Sequence, residues 1–257
     1  MSVALVTLSV EGARLAGILA SRLPDCRVFV HESVASSPDV DSFSSIADLT
    51  KRIFHSHAGI IFIAPCGVAV RAVAALLRHK TTDPAVVVVD VRGRWAVSLL
   101  SGHEGGANDL AFSVGNILFA EPVITTTTEA LKDLIVGVGC RKETEAAQIV
   151  AAVKTTLQGA GLDLSMVRLL SSADVKASER GLIEAASELG VPLRYISSQE
   201  IRSCAQEFEH SDFVNSRVDI PAVAEPAALL AGRRTQLIVR KTRHNGVTVA
   251  VARESSL

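Results

Sequence analysis

The sequence predicts an α/β protein built of two α/β domains, each a mainly parallel sheet flanked by helices. Three observations predict it. Short runs of Val, Ile and Leu alternate with longer amphipathic stretches, the pattern of strands joined by crossover helices. The runs Gly59 to Ala64 (GIIFIA) and Ala85 to Val89 (AVVVV) are continuously apolar, as strands covered on both faces are. The length of 257 residues exceeds one average domain, at about 100–200 residues each.

The elements follow in chain order. Val3 to Leu8 predicts the first strand; the apolar stretch Met1 to Val10 around it has no basic n-region and Glu11-Gly12 interrupts it at once, so it does not read as a secretion signal. Arg14 to Arg22 predicts a helix and Val28 to Val30 a second strand, followed by a Ser-rich loop and a helix over Ile46 to Phe54. After GIIFIA, Val68 to Leu77 keeps apolar residues at helical spacing. After AVVVV come a neighbouring strand at Trp95 to Leu100, a helix over Gly106 to Phe119 and a strand at Pro122 to Thr125. The threonine tract Thr125 to Thr128 then leads to a boundary near Glu129 to Asp133, which gives domains 1–132 and 133–257. Beyond it the alternation restarts: strand Leu134 to Val138, helix Glu143 to Leu157, strand Val167 to Leu170, helix Glu179 to Leu189, strand Leu193 to Ile196. A short helix at Ala224 to Leu230 precedes a hairpin of Gln236 to Arg240 with Val247 to Val251 around Asn245-Gly246.

Composition excludes several function classes. Hydrophobic residues at 48% against 21% charged rule out a disordered chain. Aromatics at 4%, with one Trp and one Tyr, argue against a platform that stacks bases. The 26 Lys and Arg nearly balance the 27 Asp and Glu, so no global field draws nucleic acid or an anionic membrane. No apolar run approaches the roughly 18–20 residues that span a bilayer. Cys26, Cys66, Cys140 and Cys204 are widely spaced without a Cys-x-x-Cys, which reads as thiols of a reducing compartment. The expectation is a cytoplasmic protein without nucleic-acid or membrane partners.

Two strand-to-helix loops carry the candidate chemistry. In the first, Ser101 to Asp109 (SGHEGGAND), Gly102, Gly105 and Gly106 leave backbone N–H groups uncovered at a helix amino end, where a carboxylate or phosphate is held well. His103 sits inside this loop, and an imidazole exchanges protons near neutral pH. An ordinary glycine turn, with Asn108 or Asp109 near the helix start, fits the same residues. The second loop, Gly137 to Thr144 (GVGCRKET), places Gly139, Cys140, Arg141 and Lys142 before a helix. It is neither a dinucleotide fingerprint nor a P-loop, since Lys142 holds the third glycine position and no Gly-Lys-Ser/Thr occurs. Cys140 near a helix amino end is either an activated thiol or, the better reading without a neighbouring His, a buried structural one. Arg71 at a helix start, Lys80 before AVVVV, Lys176 beside Glu179 at another helix start, and Glu225 before Pro226 complete the set. Capping and solvation explain these four as readily. No metal-ligand cluster is visible, and no metal or other cofactor of the protein's own is expected.

The segment Lys80 to Asp109, with KTTDPAVVVVD and LLSGHEGGANDLA, resembles the amino-terminal domain of the cobalt-precorrin 5A hydrolase (CbiG) family, as does PVITTTTEA. VGVGCRKET, LLSSADVKASERGL, LGVPLRY and VAEPAALLAG resemble the carboxyl-terminal domain, shared with CobE proteins. Many members carry a middle region between the domains, whereas here Thr128 runs almost directly into Leu134, and Glu104 stands where an apolar residue is common. The resemblance implies a step of anaerobic vitamin B12 synthesis. Its substrate is a cobalt-bearing, ring-contracted tetrapyrrole with a ring A lactone, which water opens with release of acetaldehyde; the cobalt belongs to the substrate. His103 would activate the water or shuttle the proton lost in fragmentation, with N–H groups of Gly105 and Gly106 on the oxyanion. Arg71, Lys80, Gly102, Glu104, Asn108, Gly139, Cys140, Arg141, Lys142, Lys176 and Glu225 would line the binding surface. Neighbouring corrin-pathway methyltransferases are the expected partners, and a homodimer stays open. The alternative is a non-catalytic carrier of a tetrapyrrole intermediate.

Overall fold

The computed structural model describes residues 2–34, 40–203 and 223–255; Cys204 lies outside them. The chain divides into two compact units, residues 1–126 and 127–257. No helix among the described residues is long and apolar enough to cross a membrane.

The first unit runs β1 (Val3–Thr7), α1 (Val10–Ala20), β2 (Cys26–His31), β3 (Asp41–Phe43), α2 (Ile46–Ile53), β4 (Gly59–Ile63), α3 (Cys66–Val73), β5 (Ala85–Val89), β6 (Trp95–Leu100), α4 (Ala107–Leu118) and β7 (Glu121–Val123). Its sheet order is β3-β2-β1-β4-β5-β6-β7. Strands alternate side chains between faces, and the two cores follow from that period. Ala4 and Val6 of β1 pack with residues of α2 and α3, whereas Leu5 packs with residues of α1 and α4. Every residue of β4 and β5 is buried, as their continuous apolar sequences require.

One strand direction matters for the site. β6 pairs antiparallel with β5, with Leu100 beside Val86, while β1 to β5 are mutually parallel. The carboxyl end of β6 therefore lies at the edge where β4 and β5 begin, opposite the edge at which parallel sheets hold ligands. Smaller departures have local causes. α1 starts at Val10 because the Ser9 hydroxyl accepts the Gly12 N–H at 3.0 Å. A short strand, β3, forms at the end of the Ser-rich segment by pairing with Phe29 to His31.

The second unit runs α5 (Thr127–Ala130), β8 (Leu134–Cys140), α6 (Ala146–Gly159), β9 (Val167–Ala173), α7 (Arg180–Leu189), β10 (Leu193–Ile196), α8 (Ser198–Ser203), α9 (Ala224–Leu230), β11 (Thr235–His244) and β12 (Val247–Glu254). The sheet order is β10-β9-β8-β12-β11, with β8, β9 and β10 parallel and the hairpin antiparallel. α6 and α7 supply one core with Val136, Val138 and Leu170, and α9 packs against β8 and β12. Cys140 pairs with Val247, so the hairpin turn at Asn245-Gly246 reaches the edge where β8 ends.

Candidate functional site

In the first unit, β6 delivers Ser101 in a left-handed conformation, φ 58°, and the loop folds back on it. The Ser101 carbonyl accepts the Gly105 N–H at 3.1 Å and the Ala107 N–H at 3.2 Å, while the Gly102 carbonyl accepts the Asn108 N–H at 2.9 Å. Gly106, at φ 83°, ends the loop as the residue before α4, a conformation that favours glycine. Beneath the loop the Asn108 side chain is buried: its Oδ1 accepts the Ser98 hydroxyl at 2.8 Å and its Nδ2 donates to Thr126 Oγ1 at 3.1 Å. Asn108 thus clamps the loop to β6 and to the threonine tract. Ser98 and Thr126 escape a motif reading; their one signal is a lone hydroxyl inside WAVSLL and the threonine run that follows α4.

The outer face of the loop is polar and wet. His103 and Glu104 are both exposed. The Glu104 carboxylate pairs with Lys80, with side chains 36% and 67% exposed, and that hydrogen bond holds the Glu104 carboxyl below the ordinary carboxylate range. The Lys80 ammonium is therefore engaged by Glu104. Asp83 lies at the turn ahead of β5, buried, with its Oδ2 accepting the Arg78 N–H at 2.9 Å. Its Oδ1 has no hydrogen-bond partner among the described residues.

In the second unit three segments meet at the carboxyl edge of β8 to β10. The Arg141 N–H donates to the Gly246 carbonyl at 3.2 Å, which ties the loop after β8 to the hairpin turn. The Glu143 N–H donates to Glu179 Oε2 at 3.0 Å, and Gly181 approaches Thr144 so closely that a Cβ would lie 1.9 Å from its carbonyl oxygen. These contacts tie that loop to the start of α7. Lys176 Nζ stands 3.4 Å from Glu179 Oε1, with both side chains 12% exposed. Burial pushes the Cys140 thiol up; the nearby Lys176 charge opposes this and Glu179 adds to it. Burial, with Cys140 behind it, pushes the Tyr195 phenol up to about 12. Cys140, Lys176, Glu179 and Tyr195 thus share one half-buried cluster, and Arg141 and Lys142 are exposed on the adjoining loop.

The structure redistributes several sequence expectations. Arg71 falls in the last turn of α3, not at its start, and its guanidinium donates to the Gly67 carbonyl at 2.9 Å. The Gly105 N–H is committed to Ser101, so the available loop donor is Gly106, whose N–H meets no partner among the described residues. Cys140 is not an activated thiol, because desolvation outweighs the neighbouring cation. Glu225 is buried in the first turn of α9, and its Oε1 accepts the Lys241 N–H at 3.0 Å, a structural engagement. Tyr195 and Glu179 were not among the expected site residues, since burial carries no sequence motif. No group of three or more His, Cys, Asp and Glu positioned to hold a metal occurs among the described residues. A separate cavity of about 220 Å³ between β2, β3 and α2 is lined by Arg27, Asp41, Arg52 and His57, none of which belongs to either loop.

Chemically, the first loop offers an exposed imidazole and a helix amino end, and the second edge offers a desolvated ammonium–carboxylate pair beside exposed cations. Comparison with known proteins converges on one biosynthetic pathway. The model described as cobalamin synthesis G N-terminal matches residues 48–129, and that described as cobalamin synthesis G C-terminus matches residues 134–252. The cobalt-precorrin-5A hydrolase of Salmonella typhimurium is 26% identical over 342 residues, covering 97% of each chain. That span exceeds the 257 residues here, so the relative carries residues without counterpart in this chain. A protein named probable cobalt-precorrin-5A hydrolase from Methanocaldococcus jannaschii is 31% identical over 285 residues, covering 79% of this chain and 88% of its own. Protein CobE of a Sinorhizobium species is 32% identical over 133 residues, covering 51% of this chain and 86% of its own.

Proposed function

From the premise that this chain belongs to the cobalt-precorrin-5A hydrolase (CbiG) family of cobalamin synthesis, we propose that it hydrolyses cobalt-precorrin 5A. Water opens the ring A lactone, and the extruded two-carbon unit leaves as acetaldehyde. The observation that carries this reading is the alignment with a named cobalt-precorrin-5A hydrolase along 97% of both chains.

The chemistry of the first loop suits the first step. Attack of water on a lactone carbonyl needs a base for the proton and a donor for the developing oxyanion. His103 is exposed beside the helix amino end and takes the proton, while the Gly106 N–H, at the start of α4, faces the oxyanion. Of the substrate's acetate and propionate rim, a carboxylate beside this loop is met by Lys80, once Glu104 yields it. The cobalt arrives and leaves with the substrate.

Anaerobic incubation with cobalt-precorrin 5A, with acetaldehyde followed by coupled reduction, tests the reading. The wild-type protein releases acetaldehyde above the protein-free blank. His103→Ala lowers kcat by about 100-fold or more and leaves KM nearly unchanged. Equal losses in both would recast His103 as a binding residue. Tight binding of the tetrapyrrole without acetaldehyde would identify a carrier and overturn the hydrolase.

A further inference from the structure

At the carboxyl edge of the second sheet a cation is largely covered, its side chain 12% exposed, with few partners among the described residues. Among the described residues the Lys176 ammonium meets one hydrogen-bond acceptor, Glu179 Oε1, at the long distance of 3.4 Å. An ammonium carries three donors, and donors left unfilled away from water are costly. A buried ion pair is also weak evidence for a stabilising role, because desolvation offsets the attraction between its charges. Glu179, in contrast, is oriented from behind: its Oε2 is held by the Glu143 N–H at 3.0 Å, which leaves Oε1 turned towards Lys176. Titratable groups on the adjoining elements include Cys140 and Tyr195, whose thiol and phenol burial pushes up, and Asp174, whose Oδ1 accepts the Ser198 hydroxyl. The arrangement is an oriented base beside an under-filled donor, in a place from which water is mostly excluded.

We propose that Lys176 and Glu179 are the catalytic pair that breaks the carbon–carbon bond, a step separate from lactone opening at the His103 loop. The inference rests on the hydrolase reading. Once the lactone is open, the two-carbon unit remains on the ring as a secondary alcohol. Glu179 removes the hydroxyl proton while Lys176 donates to that oxygen as negative charge builds on it. The oxygen's electron pair forms the carbonyl of acetaldehyde, the bond to the ring carbon breaks, and its electrons enter the conjugated ring system. The proton on Glu179 then returns to the ring. Atoms and charge balance, and no oxidant or reductant is required.

Quenched-flow mass spectrometry of the anaerobic reaction separates the two steps, because the ring-opened hydroxy acid is heavier than the substrate by one water. Lys176→Met and Glu179→Gln should accumulate that species and release acetaldehyde about 100-fold more slowly. Lys176→Arg, which keeps a cationic donor, should recover part of the rate. Glu179→Gln retains an acceptor for the Glu143 N–H, so an unchanged thermal midpoint separates lost chemistry from lost folding. His103→Ala should accumulate unopened substrate instead. Acetaldehyde release at the wild-type rate in both variants, or equal slowing of ring opening and release, would overturn the assignment while leaving the hydrolase standing. A wild-type protein that forms neither the hydroxy acid nor acetaldehyde would remove the hydrolase reading and this assignment with it.

Discussion

Each unit holds a lysine and a glutamate together at its candidate site, and the two pairs differ in almost everything except charge. Lys80 and Glu104 are 24 residues apart, exposed by 67% and 36%, and meet across the outer face of the glycine loop. Lys176 and Glu179 are three residues apart, 12% exposed, and packed between the ends of two strands and the start of α7. An exposed ion pair is screened by salt and held only weakly, so a carboxylate of a ligand can replace Glu104 on Lys80 at little cost. A buried pair cannot be exchanged so cheaply, since removing one partner strands the other charge. The same residue types thus make a replaceable contact in one unit and a fixed device in the other.

The largest expected effect comes from the floor of the buried pair. Gly181→Ala would drive a Cβ against the Thr144 carbonyl oxygen, 1.9 Å away, and separate α7 from the loop that orients Glu179. Overpacking of this kind costs about 1–3 kcal/mol or more, read from the urea midpoint at unchanged slope. An unaltered midpoint would mean that the loop is not held, and the contrast between the units would collapse.

The second test asks how dry that edge is. Tyr195 is the one tyrosine in the chain, so its ionisation can be followed directly from phenolate absorbance. Its midpoint is expected at about 12, above the ordinary value of about 10, because burial disfavours the phenolate. Between these values the unfolded chain loses its proton first, so the contribution of Tyr195 to stability falls as pH rises. Cys140→Ser should lower the midpoint, since the Cys140 charge is the second cause of the shift. A midpoint near the ordinary value would place water around the cluster.

The smallest effect belongs to the exposed pair. Glu104→Gln should leave the thermal midpoint unmoved and lower KM about two- to three-fold at low ionic strength by freeing Lys80. The difference should vanish in high salt. A large loss of stability would show that the loop depends on Glu104 after all.

Most of the scaffold is legible in the sequence because apolar runs report burial directly. GIIFIA and AVVVV are central strands, and Asn245-Gly246 turns the terminal hairpin as its residues require. Strand direction is different, since an apolar run reads alike in both senses. WAVSLL announces a strand, yet nothing in it reveals that β6 runs against β5 and carries the glycine loop to the opposite edge. Side-chain fate is equally hidden where packing decides it. Asn108 looks like a ligand contact in GGAND but is consumed by Ser98 and Thr126 beneath the loop. Lys176 and Glu179 can be paired from their spacing, whereas their burial, and the presence of Tyr195 beside Cys140, depend on how β9, β10 and α7 come together.

The Asn108–Thr126 contact carries a mechanical meaning. Thr126 is the last residue of the first unit, so the loop is spliced to the thread that leaves it through one bond of 3.1 Å. Thr126 also follows the end of β7 by three residues, so a shift of it acts on that strand through the backbone and on Asn108 through this hydrogen bond. The connector and the glycine loop therefore share a single knot, and neither can be retied without disturbing the other.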